Sequence, residues 1–181
     1  MRFLSLFNLT VSAFVIAAPS VLAQEMPFPA NSSFFTGDPP TLMSADTPDS
    51  LINWPSPHYF FTFNVPANSK ESLGKVTIAP EISGESIAFD LSKTQAFQGT
   101  RKQKGQGLTL QSVTQDPKTQ VITIVFAPSV PQGTTFTISL QAVRNPSESG
   151  EYIFRVQGFP SGDNPIGLDL GVGRLSFYRP F

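Results

Sequence analysis

The chain has no cysteine, a single histidine and a single tryptophan in 181 residues. Each shortage excludes a class of chemistry. Without cysteine there is no disulfide framework, and a lipoprotein signal has no residue to modify. His58 alone, with no cysteine, cannot make the usual zinc or blue-copper ligand set. A serine triad would have to use that same histidine, and no G-x-S-x-G elbow is present. There is no Walker loop and no dinucleotide fingerprint. Charge is also scarce, at 14% of residues, and nearly balanced. Such a balance gives no general attraction for nucleic acid or an anionic membrane.

What is present begins with a segment expected to be removed. Arg2 is the one charge before Glu25, Phe3 to Ala18 is almost wholly apolar, and Val21-Leu22-Ala23 ends in a small residue. A basic start, an apolar stretch and a small-residue cleavage site predict a secretory signal peptide over 1–23. A membrane anchor would need about 20 uninterrupted apolar residues, and Asn8, Ser12 and Pro19 break this run. No second run of that length follows Ala23, so no transmembrane segment is expected after signal removal. The mature chain, Gln24 to Phe181, would carry 11 basic and 13 acidic residues, a net charge of −2. Its size suits one domain with a core sufficient to hold it without staples.

Residues 24–57 hold seven prolines, so neither a helix nor a central strand is expected there. Phe28, Phe34, Phe35, Leu42, Leu51, Ile52 and Trp54 would pin parts of this extended arm to the domain that follows, 58–181. In that domain His58–Val65 alternates, with Tyr59, Phe61, Phe63 and Val65 on one face and Thr62 and Asn64 on the other. Further strands are expected at Leu73–Ile78, Ser86–Leu91, Leu108–Val113, Val121–Phe126, Thr135–Val143, Tyr152–Val156 and Leu168–Tyr178. Gly171 and Gly173 in the last one suggest a bulge or a close backbone approach. Lys93 to Gly107 reads as a long polar loop anchored by Phe97.

About eight short strands without an amphipathic helix predict an all-β fold, an antiparallel β-sandwich of immunoglobulin-like architecture. A closed barrel ranks second, and an outer-membrane barrel fits poorly because the runs are short and bounded by proline. Period two places Tyr59, Phe61, Phe63, Phe89, Val121, Thr123, Val125, Phe136, Ile138, Leu140, Tyr152, Phe154 and Phe177 inward. In Val121–Phe126 the opposite set, Ile122, Ile124 and Phe126, is equally apolar.

Several stretches together resemble a known family. They include H-Y-F-F-T-F-N-V-P at His58–Pro66, A-F-Q-G-T-R at Ala96–Arg101 and F-A-P-S-V-P-Q-G-T-T-F-T-I at Phe126–Ile138. V-R-N-P at Val143–Pro146, G-E-Y-I-F-R-V at Gly150–Val156 and P-I-G-L-D-L-G-V-G-R-L-S-F-Y at Pro165–Tyr178 complete the set. In order, they are similar to the exported cyanobacterial proteins that carry the domain of unknown function DUF2808. The resemblance implies export and supplies no activity and no catalytic residue.

Three groups remain as candidates. Asp163 and Asp169 flank N-P-I-G-L and are weak candidates for Ca²⁺, which needs 6–8 oxygens. Glu81 and Glu85 bracket a turn, a spacing from which no glycosidase pair follows. Arg101, Lys102 and Lys104 crowd one polar stretch with no acidic residue and form the candidate binding site. Acidic envelope polysaccharide, lipid headgroups or an envelope protein would be its partners. No cofactor is implied and no catalytic residue is assigned. The expected function is that of an exported, non-enzymatic binding or structural module of the cell envelope, in the periplasm or outside the cell. The alternative is a secreted, carboxylate-dependent, glycan-active hydrolase.

Overall fold

Alternating, proline-bounded runs of β-branched and aromatic residues pair into two antiparallel sheets. The computed structural model describes residues 28–29, 31–81 and 85–180; the expected signal segment lies outside them. Ten strands occur among the described residues. In chain order they are β1 (Thr41–Asp46), β2 (His58–Val65), β3 (Leu73–Pro80), β4 (Phe89–Thr100) and β5 (Gln103–Leu108). β6 (Leu110–Gln115), β7 (Ile122–Val130), β8 (Thr134–Ala142), β9 (Gly150–Pro160) and β10 (Leu168–Phe177) complete the set. Sheet I has the order β1-β2-β8-β4-β5 and sheet II the order β10-β9-β3-β7-β6. This is the expected β-sandwich, with ten strands instead of about eight.

The core lies between the sheets. β2 sends in Tyr59, Phe61, Phe63 and Val65, and β8 sends in Phe136, Ile138 and Leu140, all fully buried. From sheet II come Leu73, Val76, Ile78, Phe154, Val156 and Phe177. Phe61 and Phe154 meet edge to face across the layers, with centroids 5.6 Å apart. Burying each large side chain contributes about 1.5–3 kcal/mol.

Three expectations need correction. Lys93 to Gly107 is a β-hairpin made by the end of β4 and β5, not a loop. Its polarity misleads because β5 is an edge strand exposed on both faces, while Ala96 and Phe97 are buried as anchors. In β7 the inward set is Ile122, Ile124 and Phe126, whereas Val121, Thr123 and Val125 are only half-buried. Register decides this: Ile124 pairs with Val76 and Ile122 with Ile78, both core residues of β3. Phe89 and Tyr152 are likewise half-buried, packed against the core rather than inside it.

The proline-rich stretch contributes an edge strand, β1, paired to β2. It also supplies Phe35, Leu42, Ala45 and Ile52 to the rim of the core. Asn145, 2% exposed, ties it down. Its amide nitrogen donates to the carbonyls of Asp49 and Leu51, and its Oδ1 accepts the Tyr59 hydroxyl at 2.8 Å. At the other end, Thr36 donates its backbone N–H and its hydroxyl to Glu71 at 2.6 and 2.7 Å.

β1 also lies against β10, so the two sheets approach each other along one side. Here glycine is needed. A Cβ on Gly173 would sit 2.8 Å from the Ala45 Cβ and 3.0 Å from the Phe61 ring. The bulge lies where the sequence suggests one, between Asp169 and Gly171. Asp169 Oδ1 accepts the Gly171 N–H across it at 2.9 Å. On the opposite side the chain passes from sheet I to sheet II through Thr109 alone, whose carbonyl accepts from Ala127 N–H.

Candidate functional site

Because Tyr59, Phe61 and Phe63 point inward, Phe60 and Thr62 point out from sheet I. Register lines up Asp46 with Phe60 and Ser139, and Ser44 with Thr62, Thr137 and Phe97. An outward face should be wet, yet Thr62, Thr137, Ser139, Phe60 and Phe97 are all buried. The β4–β5 tip accounts for much of this by curling back over the face.

Gly99 makes the curl possible. The register slips between Phe97 and Gly99, and Gly99 has φ +84°. A Cβ there would collide with the Gln103 carbonyl. The Thr137 hydroxyl donates to the Gly99 carbonyl at 2.8 Å, which leaves it to accept from the Thr62 hydroxyl at 3.0 Å. This relay fixes the tip to the sheet beneath it.

The three cations predicted as a site therefore sit on an ordered hairpin and differ in their surroundings. Arg101 Nε donates to Asp46 Oδ1 of β1 at 2.9 Å, and its guanidinium carbon lies 5.7 Å from the Phe60 ring centroid. Lys102 is exposed at the turn. Lys104 Nζ lies 5.0 Å from the Phe97 ring centroid. Between the tip and β1 runs a groove of about 450 Å³, lined by Ser44, Asp46, Thr47, Thr62, Thr100, Arg101 and Lys102. The Arg101–Asp46 pair is more than a third exposed on each side, so its contribution to stability is about 0–1 kcal/mol at most. Its effect is geometric: it holds the guanidinium in the groove. Asp46 could not be found from sequence, since it lies 55 residues from Arg101 inside the proline-rich stretch. The outward Thr62 was visible in the alternation, but the groove over it was not.

The other candidates have local partners. Asp163 accepts the Ser33 hydroxyl through its backbone carbonyl at 2.8 Å. The Asp169 carboxylate spans the Gly171 N–H and Arg155 Nη1, the latter at 3.0 Å. Among the described residues no group of three or more His, Cys, Asp or Glu side chains is placed to hold a metal. The His58 ring lies nearly parallel to Phe60, centroids 6.1 Å apart.

A second hollow, of about 270 Å³, gathers Glu81, Glu85, Glu148, Glu151 and Tyr152. These carboxylates are engaged: Glu81 with Arg155 at 3.3 Å, Glu151 with Arg174 at 2.8 Å, and Glu148 with Arg179 at 3.8 Å. Glu85 accepts both the hydroxyl and the N–H of Ser147, which hold it below the usual carboxylate range. Burial, followed by the charges of Glu85 and Glu148, pushes the Tyr152 phenol up.

A family model described as "Protein of unknown function (DUF2808)" matches residues 32–177. No curated protein matches the chain. Among solved structures, the bacterial hydrophobin BslA is 13% identical with a TM-score of 0.49, over 81% of this chain and 98% of that one. The collagen-binding domain of a Staphylococcus aureus adhesin is 16% identical with a TM-score of 0.39, over 81% and 98%. An uncharacterised Nocardia farcinica protein with an immunoglobulin-like fold is 14% identical with a TM-score of 0.44, over 74% and 96%. These are likenesses of strand arrangement, and they bring no ligand and no activity to this chain.

Proposed function

We propose that this chain, which belongs to the DUF2808 family, is an exported, non-enzymatic β-sandwich that binds an anionic component of the cell envelope. The observation that carries the reading is the β4–β5 hairpin. Sheet I holds its tip in place and displays Lys102 and Lys104 to solvent beside Arg101. Export rests on the Arg2-to-Ala23 pattern. Attachment through such charges falls as salt rises, because the screening length shrinks from about 10 Å at 0.1 M to about 3 Å at 1 M.

The test is retention on isolated envelope material at low and high salt. Wild type is compared with the triple variant Arg101→Gln, Lys102→Gln, Lys104→Gln. Salt-sensitive retention of the wild type and its loss in the variant are expected. Equal retention of both at low salt would return the hairpin to a purely solvating role.

The hydrolase reading has the glutamate hollow in its favour. A general acid needs a carboxyl whose proton affinity is raised. Glu85 is shifted the opposite way, and its neighbours there are paired with arginines. The binding reading is therefore preferred.

A further inference from the structure

We propose that the groove between β1 and the β4–β5 tip is a subsite for a uronate-bearing polysaccharide. Arg101 takes the sugar carboxylate, and Asp46 acts as the residue that positions it. This rests on the envelope-binding reading and names its ligand class.

A guanidinium has five N–H donors in a planar fork, and it matches a carboxylate bidentately. Asp46 uses only Nε. The two Nη groups have no protein partner among the described residues, so the end of the fork remains available to a second carboxylate. With Phe60 lying 5.7 Å away and Asp46 fixing Nε, the fork is held before the ligand arrives. Preorganisation of this kind lowers the entropy lost on binding.

The rest of the lining suits a sugar. Of the lining, Ser44 and Thr100 are exposed and present hydroxyls, whereas the Thr62 hydroxyl is buried against Thr137 and that of Thr47 bonds Asp49. The charges of Arg101, Asp46 and Lys102 sum to one positive charge, with Lys104 on the same tip.

Lipid headgroups share the anionic chemistry, and apolar side chains beside the cations would add to such binding. The exposed Val143 follows the end of β8, where Ala142 pairs with Phe89 at the start of β4. The exposed Trp54 is hydrogen-bonded to Asn145 nearby, and Tyr178 follows Phe177 at the end of β10. The cationic tip is at the other end of β4, so Trp54 and Val143 are remote from it. Met43, beside Ser44 on β1, is an exposed apolar residue at the groove edge, but the lining itself is polar, with the guanidinium fork and the hydroxyls of Ser44 and Thr100, which favours a polysaccharide.

The experiment titrates the full exported chain with polygalacturonate, with dextran as the neutral control, and with phosphatidylglycerol vesicles. Wild type is expected to bind polygalacturonate and neither of the others. Arg101→Lys keeps the charge and loses the fork. With circular dichroism and Tm unchanged, it is expected to bind about tenfold more weakly, the equivalent of one charge-assisted hydrogen bond. Asp46→Asn separates position from charge, because it makes the groove more positive yet replaces the charge-assisted hold on the guanidinium with a weaker neutral one. The positioned fork predicts weaker binding, whereas bulk charge predicts tighter binding. Lys102→Gln, at an exposed turn, provides a variant that leaves packing intact and is expected to weaken binding.

Arg101→Lys equal to wild type, Asp46→Asn binding more tightly, or vesicles capturing the protein would each overturn the subsite. Retention on envelope material without polygalacturonate binding would remove the subsite and leave the envelope function standing. Failure of both would remove both.

Discussion

Replacing Asn145 with alanine is expected to cost about 4 kcal/mol, within a range of about 2–6. The sum follows from the partners left behind. The Tyr59 hydroxyl is fully buried and would lose its acceptor. A buried donor left unsatisfied costs about 1–3 kcal/mol. The carbonyls of Asp49 and Leu51 lie on partly exposed residues and can be rehydrated, so each loses about 0.5–1.5 kcal/mol. Tyr59→Phe removes the same hydroxyl from the other side and should cost less, about 1–2 kcal/mol, because it leaves no orphaned phenol in the core. The double variant should then cost less than the sum of the singles by about 1–2 kcal/mol. Urea unfolding followed by circular dichroism gives the free energies from midpoint and slope. Trp54, the lone tryptophan, receives the Asn145 N–H on its carbonyl and reports the same region by fluorescence. A cost under about 1 kcal/mol for Asn145→Ala, with strict additivity in the cycle, would refute the reasoning.

Phe154→Ala removes a fully buried ring that meets both Tyr59 and Phe61. A loss of about 3–5 kcal/mol is expected in urea, and a change under about 1 would show that the site is not core. Glu71 predicts a pH dependence. The Thr36 hydroxyl and N–H hold its carboxyl below the usual range, so its contribution is present above the unfolded pKa and is lost as pH falls through the depressed folded value. The Tm gap between wild type and Glu71→Gln should therefore be widest near neutrality and narrow below about pH 4. An unchanged gap on acidification would contradict the assignment.

β2 could be read from sequence to the residue, because Pro57 and Pro66 bound it and Tyr59, Phe61, Phe63 and Val65 recur on one face. The hairpin could not. Gly99, Gly105 and Gly107 and the flanking polar residues carry little strand propensity of their own. Pairing with β8 and the burial of Phe97 impose the strand from outside. In β7 both faces are apolar, so only its neighbours decide which one enters the core. The cationic tip was legible as composition, but the commitment of Arg101 to Asp46 was not, because it depends on a contact closed by the fold.

The glycine-lined seam where β1 meets β10 has a consequence for the order of assembly. β10 is the last of the described strands in chain order, and Gly173 is what lets Ala45 and Phe61 settle against it. The inner pairings are also distant: His58 pairs with Gln141, and Leu73 with Pro160. Closing loops of that length before any contact rewards them makes such folds slow to form. A chain still emerging from synthesis therefore lacks the partners that would lock it. β2 has no inner neighbour until β8 is made, β3 lacks one of its two neighbours until β9 is made, and the core between the two sheets closes late.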